Sequence, residues 1–145
     1  MYLVSACLAG FNTRYDGTNS LNEKVKRLVE EGRAIPVCPE QLGGLTTPRP
    51  AAGISRGDGR DVVEGRGKVL TVEGGADVTG AFLKGAAETL RIAGMYGVRE
   101  AILKQGSPSC GVEWTHSGGQ KRQGKGVAAA LLEKNGIRVR GDDSI

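Results

Sequence analysis

The chain has 145 residues, 39% hydrophobic and 25% charged, which fits one domain, residues 1–145, able to bury roughly 70% of its unfolded surface without disulfide staples. Formal net charge is +4 and the pI about 9.1, but Lys and Arg alternate with Glu and Asp along the chain, so the excess permits an anionic ligand without marking a nucleic-acid surface. No run approaches the roughly 18 apolar residues of a membrane span, and "MYLVSACLAG" lacks the basic start of a secretory leader, so a cytoplasmic protein is expected.

The apolar run "YLVSA" predicts a first strand ending at Cys7, and the Gly- and Asn-rich "GFNTRYDGTNS" after it a loop. From Ser20, "SLNEKVKRLVEEGR" places Leu21, Val25, Leu28 and Val29 on one helical face, with Ser20 as N-cap, Glu23 three residues on and Gly32 as the stop. "AIPVC" is a second strand ending at Cys38, and the prolines and glycines of "PEQLGGLTTPRP" forbid its continuation. "DVVEGRGKVLTVEGG" reads as a hairpin or irregular excursion near the sheet edge. Asp77 or Thr79 caps a long helix, "GAFLKGAAETLRIAGMYG", with Phe82, Leu83, Ala86, Leu90 and Ile92 or Ala93 on its apolar face and Gly97 closing it. "EAILK" is a third strand, "GKGVAAALLEKNG" a last helix and "IRVRG" a last strand.

Strands alternating with helices predict an α/β fold: a Rossmann-like three-layer sandwich with a mostly parallel sheet, right-handed crossovers and an inserted β-hairpin. Ligands of such sheets bind beyond the carboxyl ends of the strands, and Cys7, Cys38 and Cys110 all fall at or just past such an end. Three thiols can therefore converge on one crevice. An odd number of cysteines argues against a disulfide framework, and free Cys is often simply buried. Their shared topological position favours a soft ligand set for zinc or an iron–sulfur cluster. None belongs to a C-x-x-C pair, which weakens zinc-ribbon and thioredoxin readings.

Four blocks then carry a family resemblance: "SACLAG" with "RYDG", "PVCPEQLGGLTTPRP", "LKQGSPSCG" and "GKGVAAALLEKNGI". In order and spacing they resemble the stand-alone thiouracil desulfurase family over nearly the whole chain. The resemblance implies a 4Fe-4S cluster held by only three cysteines, Cys7, Cys38 and Cys110, with the fourth iron open to the substrate sulfur. It also implies conversion of thiouracil to uracil and hydrogen sulfide without net redox chemistry. One departure is visible: the family usually continues "TPRP" with a "PAEI"-like segment, whereas this chain reads "AAGI", with Gly53 where a carboxylate is expected.

The residues around the cysteines suit that chemistry. Thione sulfur is a soft ligand for an open iron, and water can add to the activated carbon if a base takes its proton. Glu40, two residues after Cys38, is the candidate base. Ser107 and Ser109 bracket Pro108 beside Cys110 and are candidate donors to substrate, water or cluster sulfur; a turn or cap role is their alternative. Arg14 and Asp16 of "RYDG" and Arg49 of "TPRP" are candidates to contact a pyrimidine edge or to close the pocket by an ion pair. His116 is the chain's only histidine, an exposed loop residue or else a lid or proton donor. "GKGVAAALL" lacks the full phosphate-loop pattern, so no nucleoside triphosphate is expected. The expected partner is a small thiolated pyrimidine. Thiolated uridine in a nucleoside or tRNA is an alternative that a chain only 4% aromatic does little to support. A zinc protein using the same thiols is another, and would need a fourth ligand such as His116.

Overall fold

Four short strands assemble one parallel sheet in the computed structural model, which describes residues 1–117 and 120–145. They are β1 (Tyr2–Ser5), β2 (Ala34–Val37), β5 (Glu100–Leu103) and β8 (Arg138–Gly141), in the order β2-β1-β5-β8. Every pairing among them is parallel, as strands joined by helical crossovers require. Side chains alternate between two covered faces. Val4, Ala34 and Ile102 meet Val25, Leu28 and Val29 of α1 (Glu23–Glu30). Leu3, Val37, Ala101 and Leu103 meet Ala93 of α4 (Thr79–Met95) and Ala129 and Leu132 of α5 (Val127–Lys134). Helix, sheet and helix thus form the three expected layers.

The excursion lies outside the second helical layer. Strands β3 (Ala52–Ile54) and β4 (Val69–Thr71) pair antiparallel, with the short helix α3 (Gly59–Val63) between them in sequence. Ile54, Val62 and Val69 bury the outer side of α4 and α5 at Phe82, Ala86, Val127 and Ala128. The hairpin expected over residues 61–75 therefore takes its first strand from "AGI", and "DVV" is helical. Asp58 explains the helix: it accepts the Arg60 N–H at 2.9 Å while Asp61 accepts the Asp58 N–H at 2.9 Å, a reciprocal cap.

Other boundaries move for equally local reasons. The first strand stops at Ser5, and Cys7 lies in a 3-10 turn, Ala6–Ala9. Helix α1 is capped by Asn22 rather than Ser20: Asn22 Oδ1 accepts from Lys24 N and Val25 N at 3.0 and 3.3 Å. The Ser20 and Asn22 amides are instead bonded to Cys7 O and Leu8 O, which holds that segment extended against the Cys7 turn. "PEQL", expected to be loop, forms the one-turn helix α2 (Pro39–Leu42), with proline at its first position, where no N–H is needed. "VEWTHSGGQ", expected to be loop, contributes β6 (Trp114–Ser117), paired antiparallel with β7 (Gln120–Gln123); Gly118 and Gly119 lie outside the described residues.

Two glycines set the approach of α2 to α4. A Cβ at Gly85 would lie 1.8 Å from Pro39 O, and one at Gly43 would lie 2.0 Å from Ala81 O, so the two backbones touch where any larger residue would separate them. That contact seats the turn carrying Cys38 and Glu40. Gly85→Ala should consequently destabilise the protein by about 1–3 kcal/mol. Gly94→Ala on the same helix, where a new Cβ meets nothing within 4 Å, should stabilise it by about 0.4–1 kcal/mol. Urea denaturation midpoints of the two variants against wild type measure the contrast.

Candidate active site

The sheet reverses its winding at β1: the chain goes from β1 to β2 on one side, then to β5 on the other. Strand ends diverge at such a point and leave a crevice. The loops after β1, β2 and β5 meet there around a cavity of ≈ 400 Å³. Cys7, Cys38 and Cys110 all line it, together with Ser5, Arg14, Glu40, Arg49, Lys104, Ser107, Ser109, Trp114 and His116. Cys7 and Cys110 are buried, Cys38 is half-buried, and all three are free thiols.

Each cysteine is held by backbone geometry. Cys7 O accepts N–H groups from Gly10 and Ser20, tying its turn to the returning loop. Cys38 is the N-cap of α2, and its thiol faces Thr13 O at 3.7 Å. In "GSPSCG", Ser107 Oγ accepts from Ser109 N and Cys110 N, both at 3.1 Å, so Ser107 performs the turn role open to it from sequence. The same loop occupies the start of α5: Val127 N donates to Pro108 O, and Ala128 N and Ala129 N both donate to Ser109 O, at 2.9 to 3.1 Å. Those first-turn amides, unpaired within a helix, are thereby satisfied, and the "GKG" stretch has none left to cradle a phosphate there.

A chain of polar contacts joins the three loops. Arg49, 9% exposed as a residue, donates from Nε to Glu40 Oε1 at 2.9 Å and from Nη2 to Thr13 O at 2.9 Å, with Nη1 on Thr46 O and Thr47 Oγ1. Glu40 Oε2 accepts the Ser109 hydroxyl at 2.9 Å. Ser109 Oγ in turn lies 3.0 Å from Ser107 Oγ and 3.8 Å from Cys110 Sγ. Glu40, Arg49, Ser107 and Ser109 are therefore one network beside the thiols, with Arg49 and Glu40 joined in an ion pair. Arg14 lines the cavity. Asp16 does not: it is exposed, and its carboxylate is taken by the Thr18 amide and hydroxyl in a local turn.

Several lining residues were not singled out in the sequence. Ser5 ends strand β1 and Lys104 directly follows β5; Lys104 pairs with Asp142 at 3.5 Å, and its amide donates to Ser5 Oγ at 2.9 Å. Trp114 reaches the cavity on β6, a strand whose sequence signal is the Gly-Gly pair between two four-residue runs. Gly53 also receives an account: a Cβ there would lie 2.6 Å from Ser117 Oγ and 2.9 Å from Ser117 Cα. Glycine at this position lets β6 lie against β3, a contact reinforced by Arg122 Nη1 donating to Ile54 O at 2.8 Å. A carboxylate side chain would displace that ribbon.

Among the described residues, no three Cys, His, Asp or Glu side chains are close enough to share a single metal ion. The three thiols nevertheless sense one another's charge. Burial pushes the Cys7 thiol up to about 11, with Cys38 adding to the rise and Lys104 and Arg14 opposing it. Burial pushes Cys110 up to about 12 against a hydrogen bond from Ser5, with Cys7 and Cys38 adding to the rise. Burial also raises Cys38, against backbone hydrogen bonds led by that of Gln41. The three thiols line one cavity without being grouped for a single ion, and three soft thiolate donors are a set that an iron–sulfur cluster accepts.

Residues 2–144 match the 2-thiouracil desulfurase family. The chain belongs to this family. Another similar protein is the uncharacterized protein YbbK of Bacillus subtilis (strain 168), 46% identical over 142 residues, spanning 96% of this chain and 93% of the relative. Among solved structures, a [4Fe-4S]-dependent thiouracil desulfidase, TudS, superposes with a TM-score of 0.86 at 40% identity, over 99% of this chain and 91% of that one. The desulfurase family thus accounts for both the fold and the block pattern of the cysteines.

With burial raising all three thiols, they should be unreactive near neutrality, because only thiolate is nucleophilic. In cluster-free protein at pH 8, iodoacetamide should label Cys38 well before Cys7 and Cys110, whose labelling should accelerate only toward the high pH where those groups ionise. Peptide mass spectrometry of a labelling time course reads the order.

Proposed function

We propose that the protein is a hydrolytic desulfidase that holds a 4Fe-4S cluster on Cys7, Cys38 and Cys110 and converts thiouracil to uracil and hydrogen sulfide. The observation carrying this reading is the convergence of three cysteine loops on one cavity, laced together by Arg49, Glu40 and Ser109. That no three Cys, His, Asp or Glu side chains among the described residues are grouped for one ion supports a cluster over a zinc ion. Arg14 and Lys104 line the cavity and offset negative charge at Cys7. When bound, such a cluster supplies an iron that three protein ligands leave open as a Lewis acid for a thione sulfur.

The remaining work falls to side chains. Glu40 is the general base: it accepts a proton from the water that adds to the thiocarbonyl carbon, directly or through the Ser109 hydroxyl that it already holds. Arg49 positions that carboxylate, and Ser107 positions Ser109. Arg14 and Lys104 line the cavity, and in this reading they meet the polar edge of the pyrimidine. Oxygen replaces sulfur at one carbon oxidation level, so no electrons are exchanged overall. In this reading residues 1–145 act as one domain, in the reducing cytoplasm where three unbridged thiols persist.

Anaerobic reconstitution followed by iron and sulfide counting tests the ligand set. Serine at Cys7, Cys38 or Cys110 should abolish cluster retention in each case, because a hydroxyl is a poor ligand for this soft group; one variant retaining full cluster and activity would remove its residue from the set.

The base is tested separately. Glu40→Gln keeps the shape of the side chain, and Arg49 keeps its Thr13, Thr46 and Thr47 acceptors. The cluster should assemble while kcat falls by about a hundredfold or more. In oxygen-18 water the wild-type product should carry the label with no reductant supplied; an unlabelled uracil contradicts hydrolysis.

A further inference from the structure

The chain has one Trp, three Tyr and two Phe, and of these only Tyr15 and Trp114 line the cavity. Tyr15 is 43% exposed and belongs to an irregular loop. Trp114 is fixed on several sides. The Gly106 amide donates to Trp114 O at 3.1 Å, and the His116 amide donates to Gly106 O at 2.8 Å, so β6 runs alongside the start of the Cys110 loop. At Gly106, where φ is +88°, a Cβ would lie 2.9 and 3.0 Å from indole Cζ3 and Cη2 and 3.2 Å from His116 Cδ2. The indole rests in the space that a side chain would otherwise fill. The His116 ring meets it perpendicularly with centroids 4.9 Å apart, and Lys121 Nζ of β7 stands over the ring, covering one of its faces, 4.6 Å from the centroid. Beneath this ribbon, Gly53 admits Ser117 at close range and Arg122 bonds Ile54 O.

We propose that Trp114 is a substrate-positioning residue: its indole, held by Gly106, His116 and Lys121, is the flat wall against which the heterocycle of a thiopyrimidine stacks beside the cysteine loops. The inference rests on the desulfidase reading of the same cavity. A preorganised aromatic plane binds a planar ring without paying to order itself, and it is indifferent to which atoms the ring carries. Trp114 therefore contributes to holding the ring rather than to the chemical step, while Glu40 and Ser109 act on the reacting carbon. Gly106 links the two roles, since it opens the Cys110 loop and also seats the indole.

The test compares Trp114→Leu, which keeps apolar packing over Gly106 but loses the aromatic face, with Trp114→Phe, each reconstituted with its cluster. For 2-thiouracil, the Leu variant should show KM raised about ten- to hundredfold with kcat within about threefold of wild type. The Phe variant should keep KM within a few-fold, and both should carry wild-type iron. Because Trp114 is the only tryptophan, its fluorescence is a second readout, and uracil titrated into the reconstituted wild type should quench it saturably. The proposal is overturned by a wild-type KM in the Leu variant, by equal loss of iron and kcat in both variants, or by emission that uracil leaves unchanged. If wild type neither holds a cluster nor turns over thiouracil, the desulfidase reading fails and takes this inference with it. If wild type is fully active and the Leu variant keeps its KM, only the role of Trp114 fails.

Discussion

The guanidinium of Arg49, nearly buried and fully bonded, holds the active-site edge of this molecule together. Its Nη2 reaches Thr13 O in the loop after β1, its Nε pairs with Glu40 in the turn after β2, and Glu40 passes the connection to Ser109 in the loop after β5. Each of those loops carries one cysteine. Parallel strands at a reversal of winding leave their loops to separate, and nothing in the sheet's hydrogen bonding brings them back. A rigid planar fork of donors, unable to lose its charge, suits that task better than a lysine would. Such a partly buried pair gains little net stability over an apolar contact but strictly fixes geometry, and geometry is what a three-thiol site requires.

Close backbone contacts do the rest of the positioning. The glycine contact between α2 and α4 fixes the height of Cys38 above the sheet. At Gly126, a Cβ would lie 2.5 Å from Ser109 C, so the α5 terminus presses directly on the Cys110 loop while its amides bond that loop's carbonyls. The high glycine content, 24 residues, therefore serves contact as well as turning. Positions such as Gly43, Gly85 and Gly126 do not need positive φ; they need the absence of a side chain.

The arrangement divides labour between rigid and charged parts. Buried thiols are kept protonated by their surroundings until a positively charged partner makes the thiolate favourable. Around them stand cations, Arg14, Arg49 and Lys104, and a single well-bonded carboxylate, Glu40. A ribbon from outside the main sheet brings Trp114 and His116 to the same cavity. The site is thus assembled from strand ends of the core and from one peripheral ribbon, which have different reasons to be where they are.

Much of this was readable from residues alone. Short apolar runs identified the four core strands, and period-3.6 patterns helices α1, α4 and α5, because the sheet buries both faces and each helix one, and the hydrophobic effect writes that burial into the sequence. The position of every cysteine at or beyond a strand end followed from the same pattern, and the family resemblance then made their neighbours Glu40, Ser107 and Ser109 candidates. The short elements outside the main sheet were different. Helix α2, helix α3 and strands β3, β6 and β7 are too short to show a period, and they are held by caps and long-range pairing rather than by an amphipathic face. The functional consequences of tertiary contact were equally hidden: that Arg49 grips Glu40, that Asp16 turns away to Thr18, and that Trp114 rests on Gly106. Sequence determined which side chains stand at the strand ends, since local burial decides that. Only the folded chain decided which of them touch, because those distances depend on backbone approaches between segments far apart along it.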